Sequence, residues 1–372
     1  MKTKINYSDI FASVMAVVAG LLLGLVVLFI TNSSQAFPAF FTILTFGFRS
    51  LRNFGDVLYF ATPIIMTGLS VGFAYKTGLF NIGASGQFTF GAFAAIYIGV
   101  EFTFLPPLIR VILSLFCAML AGALWAAIPG LLKAYRNVHE VISCIMTNYI
   151  GIFLVNWLIL NSIFDPFRNQ TTRLPISSNM PTFGLDNIFS DGVISSSINS
   201  GIIVAIIIAI IINIILSKTK FGYELKAVGF NKDAARYAGV NESRNIVLSM
   251  MIAGALAGLG GGLLFLSGSG IAMNVADVLA QEGFTGIPVA LLALSNPIGI
   301  IFSGILIAYL HLGGFTMQLF GFVPEIIDIV ISVIIYFSAF ALIIKTFISK
   351  LITNKRVLTQ NRSKTPEKEL GD

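Results

Sequence analysis

Apolar residues in this chain gather into runs long enough to cross a bilayer, and nothing else in the sequence constrains its fold as strongly. The runs fall at about 10–30, 57–75, 88–100, 107–132, 141–163, 202–216, 246–266, 284–294, 298–312 and 322–344. A spanning helix needs about 20 consecutive, mainly apolar residues. Composition agrees: of 372 residues, 56% are hydrophobic and only 11% charged, with a mean hydropathy of +0.90. A soluble domain carries about 25% charged residues, so this chain lacks the polar surface to cover a globule in water. Soluble enzyme, disordered hub and secreted scaffold are excluded. The expected fold is all-α, a polytopic membrane protein of about ten transmembrane helices.

Two runs, starting at Phe88 and Phe284, are short and follow Gly-rich polar sequence. Interrupted or re-entrant segments are therefore expected near 76–88 and 267–286. Such breaks are tolerated only where protein or a water-filled cavity satisfies the freed backbone, and they resemble the broken segments of transport sites. The first run is longer than the core of a signal peptide, so it reads as a retained helix despite the small residues of Ser34-Gln35-Ala36.

Orientation follows from Lys and Arg. Counted by alternate loops with the N-terminus inside, 18 fall on the inner side and 5 on the outer. The positive-inside rule then places both termini in the cytoplasm of a multi-pass plasma-membrane protein. The transmembrane domain takes 1–349, with a Pro-, Ser- and Asn-rich outer loop at 165–200 and a charged cytoplasmic tail at 350–372. The net charge of +6 sits in short loops between apolar runs, which suits a lipid bilayer and no nucleic acid. Cys117 and Cys144 lie in apolar runs and are expected as free thiols. His139 and His311 are too few and too far apart for a metal cage.

No GxxxxGK[ST] loop occurs, and no GxGxxG follows a strand, so the chain has no ATP site of the usual kind. Asp328 is the clearest intramembrane acid, whereas proton-coupled carriers commonly need several. Ser85 and His311 resemble a nucleophile and base of rhomboid-type proteases, but 226 residues separate them and a partner histidine upstream is absent. An ATP-independent carrier and an intramembrane serine protease stand as the weaker alternatives.

The longest inner loop, 217–245, is the most informative. After Asn231, the run Lys232–Ala238 holds good helix formers, and Gly239 is a stop signal. A short helix flanked by Gly229 and Gly239 would present Ala234, Ala235 and Tyr237 as a knob for a groove on a cytoplasmic partner. A basic loop lying on anionic lipid is the other reading of the same residues.

Leu225-Lys226-Ala227-Val228-Gly229-Phe230-Asn231, followed by Ala234-Ala235-Arg236-Tyr237-Ala238-Gly239-Val240, resembles the ATPase-coupling loop of ABC importer permeases. The similarity is to the nucleoside and simple-sugar branch, related to the ribose and branched-chain amino-acid permeases. Three further blocks agree: Gly68 through Gly72-Phe73 and Thr77-Gly78-Leu79-Phe80-Asn81-Ile82-Gly83 to Gly86-Gln87; His139-Glu140-Val141-Ile142 with Asn148-Tyr149-Ile150; and Glu282-Gly283-Phe284-Thr285-Gly286-Ile287 with Asn296-Pro297-Ile298-Gly299. With Met317-Gln318 and Val323 through Asp328, the resemblance runs from about Gly68 to Tyr336. Ser85 and Pro288 depart from the family pattern, both in the expected substrate region.

The resemblance implies a permease subunit that is not itself an enzyme and holds no cofactor, ATP being bound by partner subunits. It implies a second permease, identical or not, two cytoplasmic ABC ATPases and an extracytoplasmic substrate-binding lipoprotein. Gly229, Ala234, Ala235, Arg236, Tyr237 and Gly239 are the expected coupling residues. Phe80, Asn81, Gln87, Asn148, Phe284 and Thr285 are the expected substrate path. The amides would pair with base or sugar groups and the phenyl rings would stack on a planar base, which suits a neutral nucleoside; a ribose- or galactose-type sugar is the alternative. The same amides could instead tie neighbouring helices or cap broken ones.

Overall fold

The structure is a computed structural model that describes residues 7–192 and 194–339. The tail 350–372, the inner basic residues from Lys345 onward, Lys2 and Lys4, and the end of the last apolar run lie outside the described residues. Fourteen α-helices are described: α1 (Tyr7–Thr31), α2 (Ala36–Thr45), α3 (Leu51–Lys76), α4 (Ala84–Glu101), α5 (Pro107–Arg136), α6 (Glu140–Asn161), α7 (Leu185–Ile188), α8 (Gly201–Lys218), α9 (Lys220–Phe230), α10 (Lys232–Tyr237), α11 (Glu242–Phe265), α12 (Gln281–Leu292), α13 (Pro297–Phe315) and α14 (Pro324–Ala339). Two short antiparallel strands, β1 (Phe164–Asp165) and β2 (Gln170–Thr171), form a hairpin in the long loop after α6.

Within the described residues, each of the ten apolar runs falls on a helix. Six helical segments are long and apolar enough to cross a membrane: α3, α5, α6, α8, α11 and Pro297–Phe320. The chain is therefore an all-α, multi-pass membrane protein. Helix ends follow local chemistry. Ser50 caps α3 by accepting from the Asn53 N–H at 3.1 Å. Asn296 accepts from the N–H groups of Ile298 and Gly299 ahead of α13, where Pro297 takes the first turn. Between α5 and α6, Asn137 turns the chain in the left-handed region and Lys133 closes on Glu140 at 2.8 Å.

One helix was not expected. The segment 36–45 lies outside the ten apolar runs, yet it is helical, and Ala36, Ala39, Thr42 and Ile43 face inward. These positions recur at helical spacing. They pack against Leu28 of α1 and against Leu310, Met317 and Phe322, joining both ends of the described chain in one apolar lobe.

At the centre, α11 crosses α4 and α5 backbone against backbone. Lipid tails offer no hydrophobic drive for helix association, so close approach of small residues supplies the contact. A Cβ on Gly258 would overlap the Ala118 carbonyl oxygen, one on Gly91 would land on the Gly258 backbone, and one on Gly254 would strike Ala126. The expected outcome for Gly258→Val is loss of about 3 kcal/mol or more of stability, the upper end for overpacking. Leu124→Ala, on a side chain 64% exposed in the same bundle, should change little. Thermal unfolding of the detergent-solubilised protein measures both; equal losses would contradict this account of the crossing.

Candidate substrate pathway and coupling surface

The first break lies between α3 and α4, at residues 77–83, and is closed by side-chain amides. Asn81 and Gln87 are 0% and 1% exposed. Asn81 Nδ2 donates to Gln87 Oε1 at 2.8 Å and to Ser70 Oγ at 3.0 Å, and Gln87 Nε2 returns a bond to Asn81 Oδ1 at 3.0 Å. Asn148, on α6, accepts from the Gly86 N–H at 2.9 Å and donates to the Ile82 carbonyl at 3.0 Å. It thereby serves two backbone groups that the break leaves without helical partners. Phe80 packs against the cluster of Val71, Ala84, Ala257 and Ala290. Four of the six residues expected in the substrate path are thus gathered in one packed junction.

The second break runs from Leu266 to Ala280, between α11 and α12. At its lower end the Ser85 hydroxyl donates to the Ala280 carbonyl at 2.9 Å, and Gly283 lies so close to Ser85 that a Cβ there would meet its backbone. The N-termini of α4 and α12 therefore meet inside the bundle. Ser85, weighed as a nucleophile, here joins the two breaks through that backbone bond.

The other two expected residues, Phe284 and Thr285, line a cavity of about 420 Å³ together with Tyr149, Asp277 and Gln281. A second cavity of about 350 Å³ lies beside it, walled by Phe88, Thr89, Ile152 and Asn156 on one side and by residues of the second break on the other, with Glu282 at its edge. Asn156 Nδ2 donates to Asp277 Oδ1 at 3.0 Å and to the Ala276 carbonyl at 3.2 Å, fixing the rim between the two spaces. Two aromatic rings beside an amide, a hydroxyl and a carboxylate make a lining suited to a flat, polar solute. Sequence reasoning singled out neither Asn156 nor Tyr149 as a lining residue. A signal existed: Tyr149, Ile152 and Asn156 recur at i, i+3 and i+7 and share a face of α6. Among the described residues no His, Cys, Asp and Glu group could hold a metal ion.

On the α9–α10 side, the expected short helix is α10. Asn231 caps it by accepting from the Ala234 N–H at 2.9 Å, and Gly239 ends it with φ +82°. Tyr237 is 95% exposed, and Ala234, Arg236 and Gly239 are exposed as well. The structure departs from the expected knob at Ala235, which turns inward onto a cluster with Val228, Ile246 and Met250. Glu242 holds the helix from behind, 3.7 Å from Lys232 and 4.0 Å from Arg236. Gly229, at the end of α9, rests on the first break: a Cβ there would sit 2.5 Å from the Lys76 carbonyl oxygen and 3.0 Å from the Gly78 nitrogen.

Comparison with known proteins identifies the family of the chain. Residues 53–339 match the family described as branched-chain amino acid transport system / permease component. The guanosine ABC transporter permease protein NupP of Bacillus subtilis (strain 168) is 37% identical over 353 residues, covering 92% of this chain and 97% of that protein. The nucleoside ABC transporter permease protein NupB of Lactococcus lactis subsp. cremoris (strain MG1363) is 36% identical over 92% of this chain and 93% of its own length. The glucose ABC transporter permease protein TsgB13 of Haloferax volcanii is 30% identical, with 87% of this chain and 85% of that protein covered. No solved structure matches significantly. The shared region takes in α3 through α14, both breaks, both cavities and α10, and the chain belongs to the branched-chain amino acid transport system permease family.

Proposed function

We propose that this chain is the membrane subunit of an ATP-driven importer for nucleosides. The observation that carries the reading is the 37% identity to the guanosine permease NupP along nearly the whole of both chains. The cavity lined by Tyr149, Phe284, Thr285, Gln281 and Asp277 supports it, because aromatic faces and hydrogen-bonding side chains are what a neutral base and its sugar require. The match to the glucose permease TsgB13 keeps a sugar as the second reading.

In the proposed assembly the ten spans are α1, α3, α4, α5, α6, α8, α11, α12, α13 and α14, with both termini cytoplasmic and 165–200 outside. The membrane domain takes 1–349 and the tail 350–372. A second permease, a pair of cytoplasmic ABC ATPases and an extracytoplasmic binding lipoprotein complete the machine. ATP binds the ATPases, so this chain needs no cofactor of its own. ATP favours one arrangement of the ATPase pair, and only such differential binding can shift the permease between inward- and outward-open states. Arg236, Tyr237, Ala234 and Gly239 form the docking face of the coupling element, while Ala235 and Gly229 seat it on the bundle. Phe284 and Thr285 touch the substrate, and Phe80, Asn81, Gln87 and Asn148 shape the path from behind.

Uptake of labelled guanosine and uridine, with and without the gene, tests the substrate class. The expected result is loss of uptake with the gene, loss on ATP depletion, and no competition by unlabelled ribose or galactose. Unchanged nucleoside uptake with a fall in that of a sugar would select the second reading. The division between contacting and shaping residues is tested by a pair of variants. Phe284→Ala should raise the KM for guanosine about tenfold, the loss of one aromatic stack of about 1–3 kcal/mol, with stability kept. Gln87→Ala should lower stability by about 1–3 kcal/mol, because it strands the buried amide of Asn81. Measured KM and melting temperature that fail to separate the two variants would contradict the assignment.

A further inference from the structure

The second break walls the 350 Å³ cavity with residues that are held mainly by hydrogen bonds. None of the side chains from Ile271 to Ala280 is buried. On one edge the wall pairs with the hairpin loop after α6. The Thr171 N–H donates to the Met273 carbonyl at 2.9 Å and the Val275 N–H to the Asn169 carbonyl at 3.0 Å. The Met273 N–H donates to Thr171 Oγ1 and Asn169 Nδ2 to the Val275 carbonyl, both at 3.1 Å. Gln170 and Asn274 stand opposite each other as an antiparallel bridge. The strand β2 is thus continued by a short stretch of the cavity wall. At the turn of the same hairpin, Phe167 is 99% exposed.

The wall is hydrogen-bonded at both ends, and two glycines lie at the end nearer α11. Asn156 and Ser85 hold the lower part through Ala276, Asp277 and Ala280. Above, Tyr59 donates to Ser269 Oγ at 2.9 Å. Gly268 and Gly270 lie there at φ +82° and +75°, a region glycine enters without steric cost. A segment with hydrogen bonds but no buried apolar side chains opens locally at low cost, since water replaces each bond it loses. A wall with those properties, between a cavity and a loop, has the build of a gate.

We propose that the pairing of Asn169–Thr171 with Met273–Val275 is the outer latch of the transport path. The hairpin and the wall part once per cycle, solute reaches the cavity, and the strands pair again as the path turns inward. The latch rests on the orientation stated under the proposed function, which puts the hairpin outside the cell.

Two sets of cysteine variants test it, in the full permease assembled with its ATPase. Phe167→Cys in intact cells should react with a membrane-impermeant maleimide; absence of labelling would overturn the orientation. Gln170→Cys with Asn274→Cys places thiols at cross-strand neighbours, within disulfide reach. Copper phenanthroline should cross-link this pair readily in the nucleotide-free complex and at least tenfold more slowly when ATP and vanadate trap the ATPases closed. The cross-linked protein should take up guanosine at least tenfold more slowly and recover in dithiothreitol, while oxidant leaves uptake by each single-cysteine variant unchanged. Transport by the cross-linked protein as fast as by the reduced one, or cross-linking that ignores nucleotide, would mean that the pairing does not open and is no latch. Failure to cross-link in every state, with Phe167→Cys labelled from outside, would overturn the pairing alone.

Discussion

A peptide group inside a bilayer has no water to bond with, and the described chain interrupts its helices twice, at 77–83 and 266–280. The repair is local and specific. Asn148 serves the Gly86 N–H and the Ile82 carbonyl, Ser85 serves the Ala280 carbonyl, and the Asn81–Gln87 pair locks the shape of the first break against Ser70. These bonds tie the first residues of α4 to α6 and to the start of α12. The amides that look most like ligands for a solute are therefore taken up by one another, by Ser70 and, at Asn148, by the protein's own backbone.

The same contacts join the proposed coupling element to the proposed path. Ala235 and the Asn231 cap seat α10, and α9 carries Gly229 onto the Lys76–Gly78 turn. That turn leads directly into Asn81 and then α4, whose first residues meet Ala280 and Gly283 at the second break. The links are backbone approaches at Gly229 and Gly283, hydrogen bonds at Asn231 and Ser85, and packing of Ala235 against Val228, Ile246 and Met250. Under the proposed function, these links leave a displacement of α10 little slack before it reaches the second break. Interfaces of this kind have discrete arrangements and do not deform continuously.

Much of this was legible in the residues, because the information was local. Apolar runs marked where long helices lie, and Asn231 and Gly239 bounded α10 to within about two residues. What escaped was tertiary. Segment 36–45 carries its inward face over only about three turns, too short to stand out as a spanning run. Asn81, Gln87 and Asn148 were recognisable as polar groups at depth, but that they satisfy one another and the nearby backbone depends on how α3, α4 and α6 come together. The wall at 271–280 has no periodicity to read, since it is neither helix nor sheet core, and its pairing partner lies about a hundred residues away. Ala235 differs from Ala234 only in the direction its Cβ points.

The central claim is that the coupling element, the first break and the second break move as one connected path. Hydrogen exchange on the assembled permease and ATPase, compared without nucleotide and with ATP and vanadate, tests it directly. The account predicts that protection at 232–240, 77–87 and 276–285 changes together when ATP is trapped. A change confined to 232–240, with both breaks unaltered, would contradict it.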